Sequence, residues 1–160
     1  MEKSQPSNAD IIFIQRNGII KIAKVHIMKI VLTYGTFDLF HVGHVRLLKR
    51  LRDLGDQLIV GVSTDAFNTK KGKRATMSYA DRAEIVGALR YVDLVIPEHD
   101  WAQKITDIQN YNVALFGMGD DWAGKFDELK NFCDVVYLPR TEGISTTSLK
   151  STIYERNVAA

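Results

Sequence analysis

From Met28 onward, short apolar runs alternate with segments of helical periodicity. The apolar runs predict strands at about 29–34, 57–63, 94–96, 113–116 and 134–138. The segments between them predict helices at about 43–54, 79–90, 101–110 and 124–131, and a last helix that starts at Ser145. Uninterrupted apolar strands that alternate with helices are typical of a mostly parallel sheet covered on both faces. The pattern therefore predicts one α/β domain over residues 28–160.

Residues 1–27 stand apart from this alternation. Asn17-Gly18 lies between two β-rich runs, which predicts a hairpin turn. Met28 immediately precedes the first strand of the α/β domain, so it is also a possible initiator. Two interpretations stay open: a hairpin appended to the domain, or a start placed too far upstream. Neither gives residues 1–27 a chemical role.

Composition narrows the class of protein. The chain has 160 residues, 46% hydrophobic and 25% charged, which is ordinary for a globular domain. Residues 1–27 hold four Lys/Arg and two Asp/Glu, which leaves 17 of each sign in 28–160 and gives no electrostatic case for nucleic acid. No apolar run is long enough for a membrane span or a signal peptide. The single cysteine excludes an intrachain disulfide. We expect a cytoplasmic protein that neither inserts into membranes nor binds nucleic acid.

The most informative segment runs from Tyr34 to His44. It places His41 and His44, with Gly43 between them, where a strand gives way to a helix. A helix start offers unpaired N–H groups and a positive dipole end, and both attract phosphate. Residues three apart lie on the same side of the helix. The segment therefore predicts a polyphosphate site.

A second segment, 140–147, also leaves a strand and enters a helix. Arg140 can bind phosphate through two N–H groups, and Ser145 is a good helix N-cap. Because ligands bind parallel sheets beyond the carboxyl ends of the strands, this segment and the histidines should meet at one edge. The loop 68–74 follows another strand end and carries four cations, which favours a mobile cationic lid.

Common nucleotide motifs are excluded. Residues 35–37 do not form Gly-x-Gly, so the first turn is not a dinucleotide fingerprint. The segment 119–126 has P-loop spacing, but Phe126 replaces the hydroxyl residue, and Asp120 and Asp121 would repel phosphate. The two histidines have no third metal ligand at a suitable spacing, so no metal site made by the protein is predicted.

His41-Val42-Gly43-His44, together with Arg140-Thr141-Glu142-Gly143-Ile144-Ser145-Thr146-Thr147, resembles the cytidylyltransferase family of nucleotidyltransferases. The resemblance spans about residues 28–153. It implies a Rossmann-like fold of nucleotidyltransferase type, a homodimer and Mg²⁺ that accompanies CTP. The implied reaction joins CTP to sn-glycerol 3-phosphate and gives CDP-glycerol and pyrophosphate, for teichoic acid or capsule synthesis. The alternative is another phosphorylated alcohol, such as phosphoethanolamine, or ATP as the donor.

The resemblance also implies roles for particular residues. Catalytic roles fall to His41, His44, Lys71 and Arg140. The nucleotide is expected to contact Thr36, Phe37, His41, His44, Lys73, Asp121, Arg140, Thr141, Gly143, Ile144, Ser145, Thr146 and Thr147. The acceptor is expected to contact Lys71, Lys104 and Arg82.

Some of these roles have open alternatives. Lys104 is equally interpretable as a solvated helix residue, and Arg82 as a surface ion pair. Asp38 could orient a histidine, help to hold Mg²⁺ or cap a turn. Asp121 and Trp122 could border the nucleotide or anchor a loop. Trp101 is expected in core or dimer packing.

Overall fold

The computed structural model describes residues 11–16, 19–24 and 26–158. The strands are β1 Ile11–Arg16, β2 Ile19–Lys24, β3 Ile30–Gly35, β4 Gln57–Ser63, β5 Leu94–Glu98, β6 Val113–Gly119 and β7 Asp134–Leu138. The α-helices are α1 Val42–Arg52, α2 Asp65–Lys70, α3 Tyr79–Gly87, α4 Gln103–Asn110 and α5 Thr146–Val158. Two 3-10 helices span Asp120–Trp122 and Asp127–Asn131.

Five parallel strands form one sheet in the order β5-β4-β3-β6-β7. The chain runs outward from β3 through β4 to β5, then crosses to the other side of β3 for β6 and β7. The strand order therefore switches direction between β3 and β6. In open parallel sheets the crevice at such a point, beyond the carboxyl ends of the strands, binds ligands. The predicted α/β sheet with helices on both faces is confirmed.

Alternating strand residues build a core on each face of the sheet. Val31, Leu58 and Val60 point to the face covered by α1 and α3. Leu32 and Phe116 point to the face covered by α4 and the second 3-10 helix. This alternation follows from the period of two in a strand. Because all five strands are parallel, the segments that follow them leave the sheet at the same edge.

Several predicted boundaries were wrong. The residues expected as a wholly irregular lid begin with a helix, α2, because Thr64 caps it by accepting a hydrogen bond from the Phe67 N–H. Strand β5 continues through Pro97 to Glu98; this is tolerated because β5 is an edge strand. The helix expected over 124–131 is a 3-10 turn of five residues.

The two N-terminal strands pair antiparallel, with Ile11 opposite Lys24 and Arg16 opposite Ile19. This pairing agrees with the predicted hairpin, although its turn, Asn17-Gly18, lies outside the described residues. Among the described residues, no helix combines the length and apolar character needed to span a bilayer.

Candidate active site

The turn between β3 and α1 is conformationally strained. Phe37 and Leu39 adopt positive φ angles of 53° and 44°, a region that L-residues rarely occupy. The buried Phe37 ring packs edge-on against the His44 ring, with centroids 5.3 Å apart. Strain of this kind clusters at ligand sites, where surrounding packing holds it in place.

His41 and His44 together cap the start of α1. The Gly43 N–H donates to His41 Nδ1 at 3.1 Å, and the His41 N–H approaches His44 Nδ1 at 3.4 Å. The two rings stack with centroids 3.9 Å apart. Because both Nδ1 atoms face N–H donors, the proton of each neutral ring resides on Nε2. Both rings therefore offer an N–H donor to a ligand.

Both imidazoles favour the neutral state in the ligand-free protein. Burial, reinforced by the neighbouring His41, lowers the pKa of His44 to about 4. Burial and the nearby Arg140 charge also lower the pKa of His41. At neutral pH both rings are therefore uncharged, and each can donate a hydrogen bond through its Nε2–H group.

Gly43 is required by its protein neighbours. A Cβ at this position would lie 2.8 Å from His41 Cε1 and 3.2 Å from Ile144 Cγ2. Any side chain would therefore displace the His41 ring or the segment that contains Ile144.

The cleft has two parts. The first, the histidine arm, has a volume of about 280 Å³. It is lined by His41, His44, Arg140, Thr141 and Ser145, among others. Residues near the two ends of the α/β domain therefore meet in one cavity, as the sequence predicts. Arg140 forms an ion pair with Asp121 at 3.1 Å, and both side chains are more than half exposed.

The second part, the lysine arm, has a volume of about 520 Å³. It is lined by Lys71, Lys73, Lys104, Glu98 and Trp101, among others. The two arms share Thr36, Phe37 and His44 in their walls, so they form one continuous cleft.

Aromatic rings surround the ammonium groups of the lysine arm. Lys104 Nζ lies 4.4 Å from the centre of the Tyr34 ring and 4.8 Å from that of Trp101. Lys71 Nζ lies 4.2 Å from the centre of the Phe67 ring. Contacts of this kind stabilise desolvated cations. Burial lowers the pKa of Lys71, while the nearby Glu98 charge opposes that change.

Asp38 joins three segments at the edge of the cleft. Its carboxylate accepts hydrogen bonds from the Thr76 and Met77 N–H groups, and it forms a 2.8 Å ion pair with Lys150 of α5. Its carbonyl oxygen accepts a hydrogen bond from Thr146. Burial acts to raise the pKa of Asp38, but these hydrogen bonds outweigh it and hold the pKa at about 2. Of the roles considered from the sequence, these contacts favour the capping of a turn, here the one at Thr76 and Met77.

Arg82 was wrongly expected at the acceptor. Its side chain is fully buried and lies outside both arms. The guanidinium donates to the carbonyl oxygens of Thr36, Ser63 and Met77 and pairs with Asp65 at 2.7 Å. The alternative, a surface ion pair, is confirmed as an ion pair with Asp65, but Arg82 itself is buried and only Asp65 is exposed. Arg82 thus fastens the ends of β3 and β4 to Asp65 and Met77, which flank the lysine-rich loop 68–74.

Other predicted residues fall in or beside the cleft. Lys104 is 2% exposed and lines the lysine arm, so the solvated interpretation was wrong. Asp121, Trp122, Thr146 and Thr147 line both arms. Gly143 lines neither arm; its φ of 77° instead forms the turn before α5.

Several cleft residues were not anticipated. Tyr34, Ser63, Glu98, Trp101 and Lys150 all line the lysine arm. Trp101 is 46% exposed and contacts the lysines, so its expected place in the core was wrong, whereas a place in dimer packing stays a prediction. Ser63 and Glu98 end neighbouring parallel strands, and this position is a signal that sequence reasoning could have used.

The described residues do not build a metal cage of their own. No cluster of three His, Cys, Asp or Glu side chains suited to a metal ion occurs among them. Asp38 is already neutralised by Lys150, and Asp121 by Arg140. No residue of this part of the chain is therefore assigned as a metal ligand.

The arrangement suits the transfer of a group between two phosphates. One arm combines imidazole N–H donors, a guanidinium and a helix start, which match a polyphosphate. The adjoining arm presents lysine ammonium groups, which match a second anion. A ligand in each arm would bring two phosphates together beside His44.

Comparisons with known proteins agree with this geometry. Residues 32–152 match the family model described as cytidylyltransferase-like. A glycerol-3-phosphate cytidylyltransferase of Bacillus subtilis is 60% identical over 126 residues, covering 79% of this chain and 98% of the relative. One of Staphylococcus aureus is 52% identical over 130 residues, covering 81% and 98%.

A solved structure supports the fold. A lipopolysaccharide core biosynthesis protein of Thermoplasma volcanium superposes with a TM-score of 0.62 at 24% identity, covering 72% of this chain and 99% of that one. With the two-armed cleft and the matched family model, these similarities show that the chain belongs to the cytidylyltransferase-like family.

Proposed function

We propose that this protein transfers a cytidylyl group from CTP to sn-glycerol 3-phosphate, giving CDP-glycerol and pyrophosphate. One observation carries the proposal: the arm with His41, His44 and Arg140 opens into the arm with Lys71 and Lys104. The relatives of 52% and 60% identity support the choice of both substrates.

The reaction places few demands on acid–base catalysis. An oxygen of the acceptor phosphate attacks the α-phosphorus of CTP, and the bond to pyrophosphate breaks on the opposite side. The attacking phosphate is already an anion, so no base has to deprotonate it. Catalysis then consists of positioning the two phosphates and stabilising the charge that develops on the leaving group.

The histidine arm provides that stabilisation. In this proposal, the Nε2–H groups of His41 and His44 donate to phosphate oxygens of CTP. Arg140 exchanges its exposed partner Asp121 for phosphate, with Thr141 and the start of α5 as further donors. Because the imidazoles are neutral, their Nε2–H groups donate hydrogen bonds to phosphate without a change in protonation.

The lysine arm holds the acceptor. Lys71 and Lys104 bind its phosphate. Lys73, whose Nζ lies 5.7 Å from the centre of the Trp122 ring in the wall shared by the two arms, is assigned to the nucleotide. The aromatic faces of Tyr34, Trp101 and Phe67 are already occupied by these ammonium groups. A cationic head group such as that of phosphoethanolamine would meet like charges there, whereas a neutral polyol would not.

Mg²⁺ enters this proposal as the counterion of the CTP phosphates, where it would neutralise part of their charge. The cleft residues do not form a separate site for it, so no step is assigned through the metal. We also propose a cytoplasmic homodimer that supplies an activated glycerol for a surface polymer such as teichoic acid or capsule. Light scattering of the purified protein tests the dimer.

The test is pyrophosphate release by the purified protein across a matched set of substrates. We expect turnover with CTP and sn-glycerol 3-phosphate, and a kcat/KM at least tenfold lower with phosphoethanolamine or with ATP. Preference for phosphoethanolamine or ATP would replace the proposed substrate. Absence of turnover with every pair would indicate a nucleotide-binding regulator instead.

A further inference from the structure

Glu98 lies behind the lysines of the cleft and contacts both of them. It ends β5, and it is only 2% exposed. Its Oε1 atom lies 2.6 Å from Lys104 Nζ, and its Oε2 atom lies 3.7 Å from Lys71 Nζ. The carboxylate therefore connects a lysine of the loop after α2 with a lysine of α4.

Ser63 completes the connection. Its hydroxyl donates to Glu98 Oε2 at 2.5 Å and accepts from Lys71 Nζ at 2.8 Å. Ser63 ends β4, the strand that pairs with β5, so the sheet itself sets the spacing of these two residues. The position of Lys71 is thereby fixed relative to the strands and not only relative to its own loop.

The charges explain why the arrangement needs an acid. Lys104 is 2% exposed, and the Lys71 side chain is only 10% exposed. Two ammonium groups held this close in a dry environment repel each other, and each loses hydration. Glu98 offsets both effects. One carboxylate against two ammonium groups still leaves a net positive charge on the trio, which attracts an incoming phosphate.

We propose that Glu98 is a positioning residue for the acceptor: it holds Lys71 and Lys104 side by side so that both can bind one phosphate group. Glu98 does not itself touch the substrate, since its carboxylate would repel phosphate. The inference rests on the proposed function for the identity of the acceptor, but the phosphate site can be tested without it.

The first test is the variant Glu98→Gln, which keeps the shape of the side chain and removes its charge. In steady-state assays we expect the KM for sn-glycerol 3-phosphate to rise roughly 10- to 100-fold, the range for a lost charge-assisted hydrogen bond. The KM for CTP should stay within about threefold, because the histidine arm is built by other residues. An unchanged acceptor KM, or an equal rise in both KM values, would overturn the proposal.

The second readout is the alkaline limb of the pH profile of kcat/KM for the acceptor. The charged groups that act on Lys71 are Glu98, Lys73 and Lys104. Of these, Glu98 favours the charged form of Lys71, so its loss should move the alkaline limb to lower pH. A merely structural role for Glu98 would leave the limb in place and contradict the proposal.

Asp107→Asn is the matched control. Asp107 is another buried carboxylate of this region; it accepts from Tyr34 Oη at 2.6 Å and has no ion pair with either lysine. We expect this variant to lose stability while its acceptor KM and alkaline limb remain near those of the wild type. If Glu98→Gln does not fold, Ser63→Ala removes the bridge to Lys71 and should raise the acceptor KM alone; no rise would overturn the proposal.

Calorimetric titration with inorganic phosphate tests the positioning role of Glu98 separately from the proposed reaction. If the wild-type protein does not turn over sn-glycerol 3-phosphate, the proposed function fails. Weaker phosphate binding by Glu98→Gln than by the wild type would still support the positioning role. Equal phosphate affinity in the two proteins would overturn that role, whatever the acceptor.

Discussion

At the scale of single residues, the two ring nitrogens of His41 and of His44 serve different purposes. In each ring, the Nδ1 atom faces a backbone N–H at the start of α1, and the Nε2–H is left for a ligand. The cap fixes the tautomer and the orientation of the ring before the nucleotide binds. Preorganised donors of this kind stabilise charge without reorganising during the reaction.

Replacing His44 tests this role. We expect His44→Ala to lower kcat by roughly two to four orders of magnitude, because a donor to the developing phosphate charge is lost. His26→Ala is the control, since His26 is exposed and its Nε2 atom pairs with Asp56, a residue that does not line the cleft. A near-normal kcat in His44→Ala would remove His44 from the catalytic groups.

Residues whose type and spacing indicate a ligand site could be predicted from the sequence. The His-x-Gly-His element and Arg140 were placed in one cavity before any coordinates. Sequence reasoning failed where burial decides the role: Lys104 was indistinguishable from a solvated lysine, and Arg82 from a surface arginine. The partner of Lys104, Glu98, lies on a different element, so no local pattern connects the two residues.

At the scale of elements, the start of α1 depends on a residue without a side chain. A Cβ at Gly43 would lie 2.8 Å from the His41 ring and 3.2 Å from Ile144 of the segment before α5, which is closer than ordinary van der Waals contact. Because these two segments approach closely, His41 and His44 lie in the same cavity as the residues at the start of α5.

Gly43→Ala tests this approach. The added Cβ would lie 2.8 Å from His41, so we expect the ring to shift and kcat to fall at least tenfold. Gly87→Ala is a matched control in α3, where the nearest contact of a Cβ is an ordinary 3.6 Å to Val95. That control should keep its activity and gain about 0.5–1 kcal/mol of stability. Equal kcat values in both variants would contradict the packing argument.

Replacing Arg82 tests how the lysine-rich loop 68–74 is held against the sheet. Arg82→Met removes the donor shared by the carbonyl oxygens of Thr36, Ser63 and Met77. We expect the free energy of unfolding to fall by about 3 kcal/mol, measured by urea denaturation. Arg90→Met is the control, since the Arg90 side chain is exposed and donates to the hydroxyl of its neighbour Tyr91. Similar unfolding curves for the two variants would refute the anchoring role.

At the scale of the whole molecule, the sheet topology brings distant segments together. The parallel sheet was predictable in outline, because apolar runs alternating with helices leave few alternatives to it, but the order of its strands was not predicted. Helix α2 was missed because it is short and polar, so its Thr64 cap is its main local signal. The lysine arm was missed as a unit, because it forms only when β4, β5 and α4 pack together.

The titration of His44 predicts the pH dependence of stability. The folded protein holds the pKa of His44 near 4, below the value of about 6.5 for a free histidine. Between these values the unfolded chain binds the extra proton, so this contribution to stability is lost as the pH falls from 6.5 toward 4. The unfolding free energy of His44→Asn should therefore decline less over this range. Parallel declines in the two proteins would contradict the pKa shift.

The central claim is that one phosphate in the lysine arm attacks another in the histidine arm. The most direct measurement follows the oxygen atoms: sn-glycerol 3-phosphate carrying ¹⁸O on its phosphate is incubated with CTP and the enzyme, and the products are examined by ³¹P NMR. We expect CDP-glycerol to retain all of the label, including at the bridging oxygen, and pyrophosphate to carry none. Label in pyrophosphate, or no CDP-glycerol at all, would contradict this claim.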